Sequence, residues 1–281
     1  MLDPAWAFTR PILWAALVVL LAVLVIRAIR RDRHEYRQFK RLRATADRQR
    51  MFRKWLLESF LQFGGLSVGL LLLAGFAVAP FLAALVEWPG IRELRAVLAN
   101  SPGIVVGIVV GVVIGLALLT FLGAREARKG NEVQAIGDIT AMLPRNRQEL
   151  RLGALLSINA GLVEEAMFRL ALPAVIFGAS GSALAAVIGS VLLFGALHVY
   201  QGVAGVIGTT VVGAFMMLLY AISGTIVVPM IAHALFDLRS LVLIPAAVFG
   251  AHRIDGVSGP IAPSADGISA PIAPSADGTG E

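Results

Sequence analysis

Apolar runs long enough to cross a lipid bilayer dominate this chain and decide its fold class. A helix needs about 20 mostly apolar residues to traverse the hydrocarbon core. Runs of this kind occupy 11–26, 60–86, 103–123, 155–177, 182–200, 203–222 and 225–248. The expectation is an all-α, polytopic transmembrane helical bundle of about seven spans. Composition agrees: 58% of the 281 residues are hydrophobic and 15% charged, far from the roughly 45–50% and 25% of soluble domains. The first run is short and close to the N-terminus, as in a signal peptide. Its basic residues follow the apolar stretch, however, and no small-residue cleavage site is evident, so it reads as a span.

The net charge of +6 is a matter of topology and calls for no nucleic-acid partner. Of the 24 Lys and Arg, 12 lie in 27–54, and Arg125, Arg128, Lys129, Arg145, Arg147 and Arg151 follow the third run. The segment after the second run holds only Arg92 and Arg95. Both basic loops therefore read as cytoplasmic, which puts the N-terminus outside and the C-terminus inside, in the plasma membrane. The 27–54 segment could also lie on anionic lipid of the bilayer. With no cysteine, thiolate nucleophiles, disulfides and Cys-ligated metals are excluded.

Composition divides the chain into an N-terminal span with its basic segment (1–55), two further spans and a basic loop (56–149), a compact block of four closely connected spans (150–248) and a tail (249–281). Within the tail, 256–266 recur almost unchanged at 267–277 as a Pro-, Gly- and Ser-rich unit that cannot bury a core, and it reads as disordered. The four-span block is the working part. Short connections make its helices antiparallel neighbours, so polar groups on different spans can share a cavity.

That block carries charges that cost at least roughly 2.5–3.5 kcal/mol each at the bilayer centre. They are Glu164, Glu165 and Arg169 on one span, His198 on the next, and His233 with Asp237 on the last. Residues four apart share a helix face, so Glu165 can pair with Arg169. Glu164 points about 100° away and has no cation at helical spacing, which makes it the better candidate for a general base. Asp237 follows His233 by one turn and could orient its ring. Glu164, His198 and His233 also make an allowed zinc set with water in the open position, although the HExxH spacing of soluble zinc proteases is missing.

Three short patterns resemble the signatures of the CAAX-protease and bacteriocin-processing (CPBP) family. They are EExxxR at Glu164, Glu165 and Arg169, FxxxH at Phe194 and His198, and Hxxx(N/D) at His233 and Asp237. They occur in order, and the resemblance covers about 150–245. It implies an intramembrane endopeptidase that cleaves a membrane-associated peptide or protein of CAAX or leader type. Glu164 and His198 would activate water, His233 and Asp237 would stabilise the oxyanion, and Phe194 would shape the cavity. Asp stands where many relatives of this kind carry Asn, and an ionised Asp can only accept a hydrogen bond. Both a zinc and a metal-free glutamate mechanism fit the resemblance.

Three rivals remain. Gly178-Ala179-Ser180-Gly181 matches the GxSG of rhomboid serine proteases, but Ser180 falls in a tight connection where Gly and Ser are ordinary turn residues. A proton-coupled transporter would usually show internal repeats within its spans, and none is evident. A non-catalytic membrane adaptor or bacteriocin-immunity protein would have no need of the full ionisable set.

Overall fold

The structure, a computed structural model, describes residues 1–128 and 137–255, and among the described residues it contains helices and turns but no strand. Helices satisfy every backbone hydrogen bond internally, as lipid demands. Helix α1 (Thr9–Phe39) and helix α2 (Thr45–Val86) form the N-terminal part. Helices α3 (Pro89–Asn100) and α4 (Pro102–Arg128) follow. Then come α5 (147–180), α6 (Ala183–Leu197), α7 (Val199–Ser223) and α8 (Val227–Phe249). The tail repeats at 256–266 and 267–277, and Lys129 of the second basic loop, lie outside the described residues.

Among the described residues, α1, α2, α7 and α8 are long and apolar enough to cross a membrane by length and composition, and α6 is a shorter apolar helix. Helix α5 is long but carries Arg147, Glu149, Arg151, Glu164, Glu165 and Arg169. Helices α1 and α2 outrun the apolar segments that announced them because the basic stretch between them is itself helical. Three helices lose their regular ladder just before a proline: α2 at Gly75–Ala77 before Pro80, α5 at Ala166–Ala171 before Pro173, and α8 at Arg239–Leu243 before Pro245. Proline lacks the N–H and crowds the carbonyl four residues back, so the preceding turn tightens or widens. In α5 the widened turn holds Arg169.

Helix α5 is the hub. Its first half packs on α8 and on the start of α2, and its second half packs on α1 and α6, while α6 also packs on α7. The seam with α1 is a stripe of Leu13, Leu17, Leu20 and Leu24 at helical spacing, set in the same core as Phe168, Leu172 and Val175. The α5–α8 crossing is closer still, because a Cβ on Gly161 would sit 2.7 Å from the Met230 carbonyl oxygen and 2.9 Å from Ala234 Cβ. Gly161→Ala should therefore destabilise the protein by about 1–3 kcal/mol through overpacking, seen as a lower melting temperature in detergent.

The basic segment works inside the protein. Arg48 is 1% exposed, pairs with the fully buried Glu149 at 3.1 Å, and donates to the carbonyls of Ala141 and Leu143. Arg31 and Lys54 both reach Glu35, Arg27 reaches Asp32, and Lys40 pairs with Asp138. The first basic segment and the loop that leads into α5 thus meet at one end of the bundle.

Candidate active site

The site forms where α5, α6 and α8 converge. Asn146 caps α5, its Oδ1 accepting the Glu149 N–H at 2.9 Å. About five turns beyond that cap, Glu165 is fully buried. Its Oε1 accepts from His233 Nδ1 at 2.7 Å, and its Oε2 lies 3.0 Å from Arg169 Nε. The Arg169 N–H is not aimed along that line, so the contact is Coulombic and forms no hydrogen bond. Arg169 is itself buried, donates through Nη2 to the Gly213 carbonyl at 3.3 Å, and lies 4.9 Å above the Phe194 ring. The pairing expected from i,i+4 spacing is present, and it reaches further than expected, because the same carboxylate holds α8.

Phe194 ties the three signature segments together. Its ring meets Phe168 edge-on at 5.2 Å, His198 at 4.9 Å and His233 edge-on at 6.0 Å. Its carbonyl oxygen lies 2.8 Å from His198 Nδ1. A carbonyl can only accept, so Nδ1 carries the hydrogen and Nε2 of a neutral His198 ring keeps its lone pair.

Glu164 is half-buried and, among the described residues, makes no ion pair, but stands within Coulombic range of His233, Asp237, Glu165 and Arg169. Asp237 Oδ2 is 3.7 Å from His233 Nε2, beyond hydrogen-bond reach, and its side chain is 29% exposed. The bond that orients His233 therefore comes from Glu165, whereas helical spacing had pointed to Asp237. His198 is within Coulombic range of His233, and neither a hydrogen bond nor an ion pair joins it to Glu164. Among the described residues no three His, Asp or Glu side chains are grouped to hold a metal ion. Glu164, His198 and His233 do not fit a zinc ion as they stand.

Ser180 lies elsewhere. Fifteen residues separate it from Glu165 along one helix, about 22 Å at 1.5 Å per residue. Its hydroxyl donates to the Ile176 carbonyl at 2.7 Å, beside the left-handed Gly181 (φ 73°) that ends the helix. Sequence reading missed Tyr200, which stands beside His198 at 5.9 Å between ring centres, and its only signal was closeness in the chain to the FxxxH pattern.

Residues 146–239 match the family described as type II CAAX prenyl endopeptidase Rce1-like. Over this stretch, about a third of the chain, the protein is similar to the CPBP family. The matched stretch begins at the Asn146 cap and ends just beyond Asp237, so it contains all three signature segments of the CPBP core. No curated protein and no solved structure matches the chain. A CPBP core of the CAAX-protease type implies a peptide or protein substrate at the membrane.

Proposed function

We propose that the protein is an intramembrane endopeptidase that hydrolyses a peptide bond of a membrane-associated substrate, of CAAX or leader type, at the basic end of the bundle, which faces the cytoplasm. The observation that carries this reading is the 2.7 Å contact between Glu165 and His233, 68 residues apart, which fixes one histidine close to Glu164. Because His233 gives its Nδ1 hydrogen to Glu165, a proton on Nε2 makes the ring a cation that can donate to an oxyanion. Glu165 and Asp237 flank that cation and compensate it.

In this reading Glu164 takes a proton from water as the water oxygen attacks the scissile carbonyl, and His198 Nε2 accepts the water's second hydrogen bond. The oxyanion that forms is held by His233 Nε2–H. Collapse breaks the C–N bond, and Glu164 returns its proton to the leaving amine. No step needs a metal.

The test is cleavage of a fluorogenic membrane-peptide library, including prenylated peptides, by the full-length protein in detergent. Wild type is expected to cleave, Ser180→Ala to retain its kcat/KM within about twofold, and chelator to leave the rate unchanged. Loss in chelator with recovery on added Zn²⁺ would favour Glu164, His198 and His233 as ligands. Loss in Ser180→Ala would restore the serine reading, and no cleavage of any peptide would point to a non-catalytic adaptor.

A further inference from the structure

His198 stands at the point where α6 ends, with φ −88° and ψ 18° outside the regular helix. Among the described residues, its ring hydrogen-bonds to the carbonyl of Phe194 on the same helix. Helix ends fray, and such a ring needs a second restraint if its Nε2 is to face one direction. The neighbouring turn supplies one. The Tyr200 ring lies 5.9 Å from His198 at 31° between planes, and Tyr36 of α1 meets Tyr200 edge-on at 5.3 Å.

These rings belong to a closed circuit. Tyr36, 3% exposed, donates through its hydroxyl to the Asp138 carbonyl. The Asp138 N–H donates to the Gln201 carbonyl at 2.9 Å, and Gln201 Nε2 donates to the Tyr200 hydroxyl at 2.9 Å. The 28–39 stretch of α1 packs directly on the 199–201 turn. Tyr200 is also within Coulombic range of Glu164 and Asp237, so it borders the same site. Tyr36 and Asp138 both lie outside the matched 146–239 core.

We propose that Tyr200 is the positioning residue for His198, and that Tyr36 and Asp138, contributed from outside the family core, lock it in place. The N-terminal basic segment is thereby part of the working site as well as a topology signal. This inference rests on the peptidase reading for its kinetic consequence and on geometry alone for its structural one.

Two readouts separate these. Full-length protein labelled with ¹⁵N-histidine reports the His198 tautomer, assigned as the signal lost in His198→Ala. Wild type and Tyr200→Phe should show a single Nδ1–H form, and Tyr200→Leu an averaged or broadened signal. An aromatic contact of ordinary strength shifts the held population by roughly two- to tenfold, so kcat of Tyr200→Leu should fall by about that factor with KM unchanged. Tyr200→Phe should restore it. Tyr36→Leu should give part of the loss, and adding it to Tyr200→Leu should give no more.

An unchanged His198 signal in Tyr200→Leu overturns the proposal, and so does a Tyr200→Phe variant as impaired as Tyr200→Leu. Should Tyr200→Leu fail to fold, the His198 signal of Tyr36→Leu decides instead. A wild type that cleaves nothing would remove the peptidase reading and leave the histidine signal to judge the positioning.

Discussion

Glu164→Gln is expected to lower kcat by about 10²–10⁴-fold, the range for removal of a positioned general base, while KM and the melting temperature stay near wild type. The side chains have nearly the same shape, and glutamine cannot take a proton. Stability should be spared because Glu164, among the described residues, makes no ion pair and stands half-buried, so no ion-pair partner is orphaned by its neutralisation. The comparison that gives this force is Glu165→Gln. Glu165 holds both His233 and Arg169 and is fully buried, so its neutralisation should cost stability and activity together. Steady-state kinetics and thermal unfolding of the two variants side by side check the assignment. Equal loss of stability in both, or retained turnover in Glu164→Gln, would sink it.

The parts of this site that a sequence can show are those governed by local periodicity. The Glu165–Arg169 pair follows from i,i+4 spacing and survives even the widened turn at Ala166–Ala171. Apolar run length likewise gave the helical class. What periodicity cannot supply is the partner across the bundle. The Glu165–His233 bond depends on how closely α5 and α8 approach at Gly161, a fact about two helices 68 residues apart in the chain at the contact itself. Spacing within α8 offered Asp237 to His233, but at 3.7 Å that contact is second to the one from α5. The same limit explains the basic segment. Charge counting shows where its cations are, whereas the burial of Arg48 against Glu149 and of Tyr36 against Tyr200 appears only once 27–54 folds back onto the loop before α5. The 155–177 run is helical within α5, with Glu164, Glu165 and Arg169 set inside it.

Arg169→Met should be the most damaging single change to the framework of the site. Arg169 has three attachments, the Glu165 carboxylate, the Gly213 carbonyl on α7 and the Phe194 ring on α6, and it is 1% exposed. Removing one partner of a buried pair leaves the other charge uncompensated, at a cost of about 3–5 kcal/mol. Here Glu165 would keep only His233, and the pull between them would no longer be balanced from the α7 side. A large fall in melting temperature and loss of cleavage are expected. The double variant Glu165→Gln with Arg169→Met discriminates further. Replacing a whole buried ion pair with neutral groups of similar volume is often neutral or stabilising, so the double variant should recover much of the stability lost by Arg169→Met. It should not recover activity, because the proposed mechanism uses a charged His233 that glutamine cannot compensate. Recovery of both would mean that the Glu165–Arg169 pair is structural alone and that His233 needs no carboxylate on Nδ1. Recovery of stability without turnover assigns Glu165 to both tasks, holding α5 to α7 through Arg169 and keeping His233 charged and oriented for the oxyanion.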